Sequence, residues 1–405
     1  MAAQFLPKTS SKRITVIDAL RGFALLTVLL THYLSSYSGY PKLFTEEQLA
    51  ALPFPELDHD IFKINQLFFK LKSRVLFSFL FGLGFYFQIE KSERLGISFR
   101  KTFIKRLLVM LLIGLVHTYL ILWGDILRWY FIAGLFLLIL YRLNSKIILG
   151  LCILLSFVLP TTESILEMVV KDHMHTRLSI EAVQNAFLSG SYWQTIKMNY
   201  LIEHDKFVDP WYFIGYVANI LGFFFLGLWA GKINFFKKLE EYQPFIIRGF
   251  IIGGLVFIVG GLLFVFNPIP QSDSLLLHQI VNSLGYRMDT VGLFVVYVCG
   301  FILLYRTPLG RYLEILVPVG KMTLTNYIMQ SVVAVFLFNG MGLGLLGKIG
   351  PSFVLPIALS FFAFQVVFSH VWLHFFYTGP LEWVWRIMVS GKFQPLRKQV
   401  AETAR

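Results

Sequence analysis

Apolar runs long enough to cross a hydrocarbon layer recur along this chain, each closed by a short polar or charged cluster. A transmembrane helix needs about 20 mostly apolar residues, because lipid offers its backbone no hydrogen-bond partner. Stretches that fit are 16–38, 67–89, 103–123, 126–141, 146–162, 209–231, 246–267, 286–305, 315–338 and 352–377. The pattern predicts an all-α, polytopic integral membrane helix bundle with about ten transmembrane helices, built as one transmembrane domain over residues 1–405. The fourth and fifth stretches are short, and read as a tight helical hairpin or a hairpin with one re-entrant arm. The first run lacks a small-residue cleavage site and is followed by further spans, so it is expected to stay as a helix.

Composition excludes a water-soluble fold. Hydrophobic residues make up 56% of the chain and charged residues 15%, against about 25% charged in ordinary globular domains. A soluble core of this size does not hide 42 Phe and 18 Tyr; rings near the ends of apolar runs suit the membrane interfaces instead. The formal charge of +13 raises nucleic acid as a partner. Its distribution argues against that, since the basic residues form short clusters between apolar runs and no single basic surface. With the N-terminus inside, 22 of the 36 basic residues fall on the inner side and 12 on the outer. Both termini, with a tail at 391–405, are therefore expected in the cytoplasm, and the chain in a bacterial inner membrane in contact with lipid. Cys152 and Cys299 lie within apolar runs and read as small buried hydrophobes, not a disulfide.

Two connections exceed bare loops. Residues 39–66 carry Pro41, Pro53 and Pro55 with five acidic residues, and 163–208 place Ile180, Val183, Phe187 and Ile196 at amphipathic spacing. Both are expected outside the cytoplasm, as caps on the bundle or as a lid.

Ionisable groups inside spans are costly unless they face protein or water, which makes them default functional candidates. Asp18, Arg21 and His32 share the first span. Arg21 and His32 are eleven residues apart, so they lie on one face about 16 Å apart along the axis. Span polarity puts His32, Arg74, His117, Asp125 and Arg128 at one depth toward the outer side. Such a set could supply a general base (His32 or His117), an orienting carboxylate (Asp125) and cationic substrate-binding groups (Arg74, Arg128). It could equally be a polar network holding four helices together. Toward the inner side, Lys321, Thr325, Asn326 and Gln330 could bind a headgroup or bond neighbouring helices. His370 and His374 sit at helical spacing without a supporting ligand, and no metal is expected.

Ile17-Asp18-Ala19-Leu20-Arg21-Gly22-Phe23-Ala24, Arg74 with Phe77-Ser78-Phe79-Leu80-Phe81-Gly82-Leu83-Gly84-Phe85, and His117 with Gly124-Asp125-Ile126-Leu127 resemble the bacterial YeiB-like membrane family of unknown function (DUF418). So do Gly320-Lys321-Met322-Thr323-Leu324-Thr325-Asn326-Tyr327 and Gly379-Pro380-Leu381-Glu382-Trp383-Val384-Trp385-Arg386. More distantly, Leu20-Arg21-Gly22 followed by His32 resembles the opening span of transmembrane acyltransferases. That resemblance implies transfer of an acyl group, commonly acetyl, from an acyl-CoA thioester to an acceptor outside. The expected site is then His32, His117 and Asp125 for catalysis, Arg74, Arg128 and Asn326 for a sugar or lipid-linked acceptor, and Arg21 and Lys321 for the cofactor. The YeiB-like family often has another residue where His32 stands, which leaves His117 as the alternative base. A carrier for a small organic solute or lipid, or a non-catalytic envelope scaffold, would use the same polar groups without chemistry.

Overall fold

A computed structural model describes residues 14–159, 178–270 and 274–398. The helices used below are α1 (Thr15–Thr31), α2 (Glu46–Ala50), α3 (Pro55–Phe68), α4 (Lys72–Arg94), α5 (Phe99–Val116), α6 (Leu127–Leu140), α7 (Ser145–Ile153) and α8 (Ile180–Leu188). They continue with α9 (Tyr192–Val208), α10 (Pro210–Lys232), α11 (Gln243–Val265), α12 (Leu275–Tyr305), α13 (Val317–Lys321), α14 (Thr323–Phe338), α15 (Pro351–Phe375) and α16 (Pro380–Ser390). Extended pairing among the described residues is limited to one isolated bridge, Phe376 with Arg397. The chain is an all-α, multi-pass membrane bundle.

Six helices among the described residues are long and apolar enough to cross a membrane, which corrects the expected ten. They are Thr15–Tyr37, Phe99–Ile121, Tyr212–Lys232, Gln243–Val265, Leu275–Tyr305 and Pro351–Phe375. The others fail for identifiable reasons. Helix α4 has the length but is charged at both ends, with Lys72, Arg74, Glu90, Lys91, Glu93 and Arg94. Leu127–Leu140, Ser145–Val158 and Thr323–Phe338 are apolar but short. A 16-residue helix reaches about 24 Å, less than the ~30 Å hydrocarbon core. The predicted 315–338 run is broken at Met322 (φ −111°, ψ 38°), which separates α13 from α14. In the other direction, the predicted 286–305 helix begins at Leu275, where the Ser274 hydroxyl accepts from the Leu277 N–H. Parts of the predicted 146–162 run, the 163–208 segment and the 391–405 tail lie outside the described residues.

Glycine brings the helices into backbone contact. A Cβ on Gly82 of α4 would lie 2.0 Å from the Phe224 carbonyl oxygen of α10, and one on Gly227 of α10 would lie 2.0 Å from that of Phe79. Gly22 of α1 and Gly320 of α13 interlock in the same way, against Leu316 and Asp18. Without a hydrophobic drive between helices in lipid, such close approach is how they gain contact energy. Helices α11 and α12 pair through Gly253 and Gly260 against Gly292 and Gly285. The opposite side of α11 exposes Ile251, Ile252, Leu255, Ile258 and Leu262, a surface that suits acyl chains and not water.

One ion pair locks α4 to α12. The Lys72 ammonium donates to Asp289 at 2.5 Å, and both side chains are buried. Removing one partner strands the other charge, so Asp289→Ala is expected to cost about 3–5 kcal/mol, read as a lower melting temperature of the purified protein in detergent. Lys72→Met with Asp289→Leu should recover most of that loss, and a double variant no better than the single would refute the pair as the cause.

Candidate functional site

A cavity of about 1130 Å³ runs inside the bundle. Helix register orders its wall. One end is basic, with Arg21, Lys91, Lys101, Lys105, Arg106 and Lys321, and α16 adds Trp385 and Arg386. The middle is apolar, formed by Val28, Phe77, Leu80, Phe81, Leu107 and Met110. The far end carries His32, Ser36, Lys70, Arg74, Tyr216 and Tyr327. Arg21 and His32 thus belong to one chamber, about 16 Å apart along α1.

At the histidine end, His117 Nδ1 lies 2.8 Å from Asp125 Oδ1. The Tyr327 hydroxyl donates to the same oxygen at 3.3 Å, and the Arg128 backbone N–H donates to Oδ2 at 3.1 Å. A carboxylate accepting at Nδ1 puts the proton there and leaves Nε2 as the basic nitrogen. That Nε2 is buried without a hydrogen-bond partner, as is His32 Nδ1. His32 faces the cavity and stacks on Tyr37 at 4.8 Å. His117 and Asp125 are fully buried and meet the chamber through Tyr327, whose ring is 5.1 Å from that of His117.

Both histidines open a π-helical turn. Helix α1 widens over His32–Tyr37 and α5 over His117–Ile121. Such turns recur at functional sites because they add a residue and re-aim side chains. Nothing in the apolar periodicity marks them, so sequence reasoning missed them.

Arg74 and Arg128 have different surroundings. Arg74 donates to Asn219 Oδ1 at 3.2 Å and stacks over Tyr216 at 4.3 Å. Arg128 pairs with Glu203 of α9. Glu203 also accepts from the Gly124 N–H at 3.0 Å and from Lys206 at 2.6 Å. Sequence reasoning overlooked Glu203 because it looked for an apolar packing face on this segment. The buried face of α9 includes Thr195, Asn199 and Glu203, and that polar stripe at four-residue spacing was the available signal.

At the basic end, Arg21 donates to Asp18 at 3.1 Å and Arg106 lies over Trp385 at 5.5 Å. Glu382 of α16 accepts from the Leu324 and Thr325 N–H groups at 2.7 and 3.1 Å and from the Thr325 hydroxyl at 2.6 Å. It thereby caps α14. Burial pushes its carboxyl above the usual range, and these bonds pull back toward the ionised form. Asn326 stands elsewhere. Its amide donates to Ser369 at 3.0 Å and to the Val319 carbonyl at 3.3 Å, in a chain that includes Gln330 and Gln365.

The structure therefore brings Arg21, His32, Arg74 and Lys321 to the cavity wall. It sets His117 and Asp125 behind Tyr327, pairs Arg128 with Glu203, and gives Asn326 to a network between helices. Cys152 and Cys299 are buried free thiols.

Residues 230–392 match the family described as "Protein of unknown function (DUF418)". The chain is 29% identical to "Uncharacterized protein YxaH" of Bacillus subtilis (strain 168), over 97% of this chain and 98% of that one. It is also 29% identical to the "Uncharacterized 39.9 kDa protein in amylase 3'region" of Bacillus acidopullulyticus, over 98% and 99%. "Uncharacterized protein YeiB" of Escherichia coli (strain K12) is 39% identical over 72 residues, 17% of each chain. No solved structure matches.

Glu203 is expected to hold α9 on the turn that carries Asp125. Glu203→Ala should cost about 3 kcal/mol, and so raise hydrogen exchange across 192–208 on the order of a hundredfold, with α11 and α12 unchanged. Unaltered exchange over 192–208 would show that the Arg128 and Lys206 contacts do not secure this helix.

Proposed function

We propose that this chain, whose residues 230–392 match the family of unknown function DUF418, is a transmembrane acyltransferase. It moves an acetyl-like acyl group from a cytoplasmic acyl-CoA thioester to the hydroxyl of a sugar or lipid acceptor outside. The observation that carries the reading is one chamber with a basic cluster at one end and His32 at the other, joined by an apolar middle. A soluble thioester and an external hydroxyl never share a compartment, so transfer between them needs a path through the bilayer.

The positive-inside bias supports placing the basic end and both termini in the cytoplasm. Arg21 and Lys321 would hold the phosphates of the donor, and its acyl arm would lie along Phe77, Leu80 and Met110. His32 would take the proton of the acceptor hydroxyl as its oxygen attacks the thioester carbonyl. The C–S bond then breaks, and the histidine returns that proton to the leaving thiolate. Asp125 would fix the His117 tautomer beside the reaction, with His117 as base if His32 serves only to position the acceptor. The apolar middle keeps water from the thioester.

The test is labelled acetyl-CoA supplied to the full chain in sealed lipid vesicles with candidate acceptors inside and out. Wild type should bind or consume the donor, and His32→Ala should lower transfer by about 10²–10⁴-fold. Absence of donor binding or turnover with every acceptor, together with an H32A/H117A variant that behaves as wild type, would overturn the reading.

A further inference from the structure

The bundle neutralises its buried cations where it can. Lys72 has Asp289, and Arg128 has Glu203. Lys70 and Arg74, which line the histidine end of the cavity, are treated differently. Among the described residues no carboxylate forms an ion pair with either. Arg74 carries five N–H donors, yet its partners are the neutral amide of Asn219 and the face of Tyr216, and its Nε is buried with no acceptor. Burial first, and then the like charges of Lys42 and Lys72, push the Lys70 ammonium below the usual lysine range.

Backbone geometry points the same way. Leu71, between Lys70 and the paired Lys72, is held at φ +61° and ψ −34° where α4 begins. A leucine in that region is costly, and such strain persists where the surroundings over-determine it. Here it separates two adjacent lysines, one bonded to Asp289 and the other on the cavity wall. Ser36 and Ser73 add hydroxyl donors to the same end. A donor-rich end with two cations that no carboxylate pairs is matched to an oxyanion. A phosphate ester suits it, because its oxygens can take a guanidinium fork, an ammonium and hydroxyls together.

We propose that Lys70 and Arg74 form a phosphate-ester binding site at the histidine end of the cavity, so that the acceptor is an anionic, phosphate-bearing molecule and not a neutral sugar. The identity of this site as the acceptor's rests on the acyltransferase reading; the oxyanion site itself does not. Its phosphate belongs to a lipid headgroup or to a free phosphate ester, and both present the same group to Lys70 and Arg74.

The full chain, in micelles of a neutral, phosphate-free alkyl maltoside, is treated with a lysine-acetylating ester, and the rate at Lys70 is read by peptide mass spectrometry. Parallel arms add sn-glycerol 1-phosphate, add glycerol, or add phosphatidylglycerol to the micelles. A phosphate ester should slow acetylation of Lys70 about tenfold or more, while glycerol has no effect. Protection in the phosphatidylglycerol arm alone assigns the group to lipid, and protection by the soluble ester to a free ligand. Arg74→Gln should abolish the protection and Arg74→Lys should restore part of it. Should Arg74→Gln fail to fold, Lys70→Gln must instead lose the thermal stabilisation that the phosphate ester gives wild type. Equal Lys70 labelling in every arm, protection by glycerol, or protection that survives Arg74→Gln would overturn the site. A protected Lys70 without acyl transfer would sink the reaction alone, whereas transfer to a neutral acceptor with Lys70 unprotected would sink this site alone.

Discussion

Charge inside hydrocarbon must be met by protein, water or ligand, and that single requirement organises this molecule. The bundle meets it in two ways. Lys72 and Arg128 are closed off by Asp289 and Glu203, carboxylates brought from distant parts of the chain. Arg74, Lys70 and Arg106 instead stand on the wall of an internal space. A buried ion pair repays its desolvation only when its geometry is good, and losing one member leaves the other stranded. The paired cations therefore act as fixed struts, and the wall cations stay available to whatever enters.

Close helix contact makes that division workable. Where Gly22 meets Leu316 and Gly82 meets Phe224, the backbones touch and the bundle is rigid. At Gly84 a Cβ would meet only the Arg21 guanidinium, at 3.5 Å, and this glycine lines the basic end of the cavity. Glycines within a few residues of each other on α4 therefore have different surroundings. One lies against a neighbouring backbone and the other lines the cavity.

Much of the site could be read from spacing and depth. Arg21 and His32 share a face because eleven residues make about three turns, and both are on the cavity wall. The common depth of His32, His117 and Asp125 followed from span polarity, and Tyr327 links all three environments. What escaped were contacts made at long sequence separation. Asp289 lies in an apolar run whose partner is 217 residues away, and Glu203 lies 75 residues from Arg128. Periodicity reports which face of a helix is apolar, and says nothing of which distant carboxylate that face will meet. The span count failed for a related reason: continuous hydropathy does not register a break such as Met322, nor distinguish a helix of 14 residues from one that crosses the whole bilayer.

The wide turns at His32 and His117 have an effect beyond the site. A π-helical turn takes up one residue more than the α-helix it interrupts, and everything beyond it is turned by about 100° relative to an unbroken helix. Ser35, Ser36 and Tyr37 therefore face directions that a continuous α1 would assign to their neighbours. Tyr37 reaches Ser331 of α14 by virtue of that offset. Loss of a single residue within 32–37 would straighten the helix, swing this segment to another side, and rebuild the histidine end without touching the rest of the span.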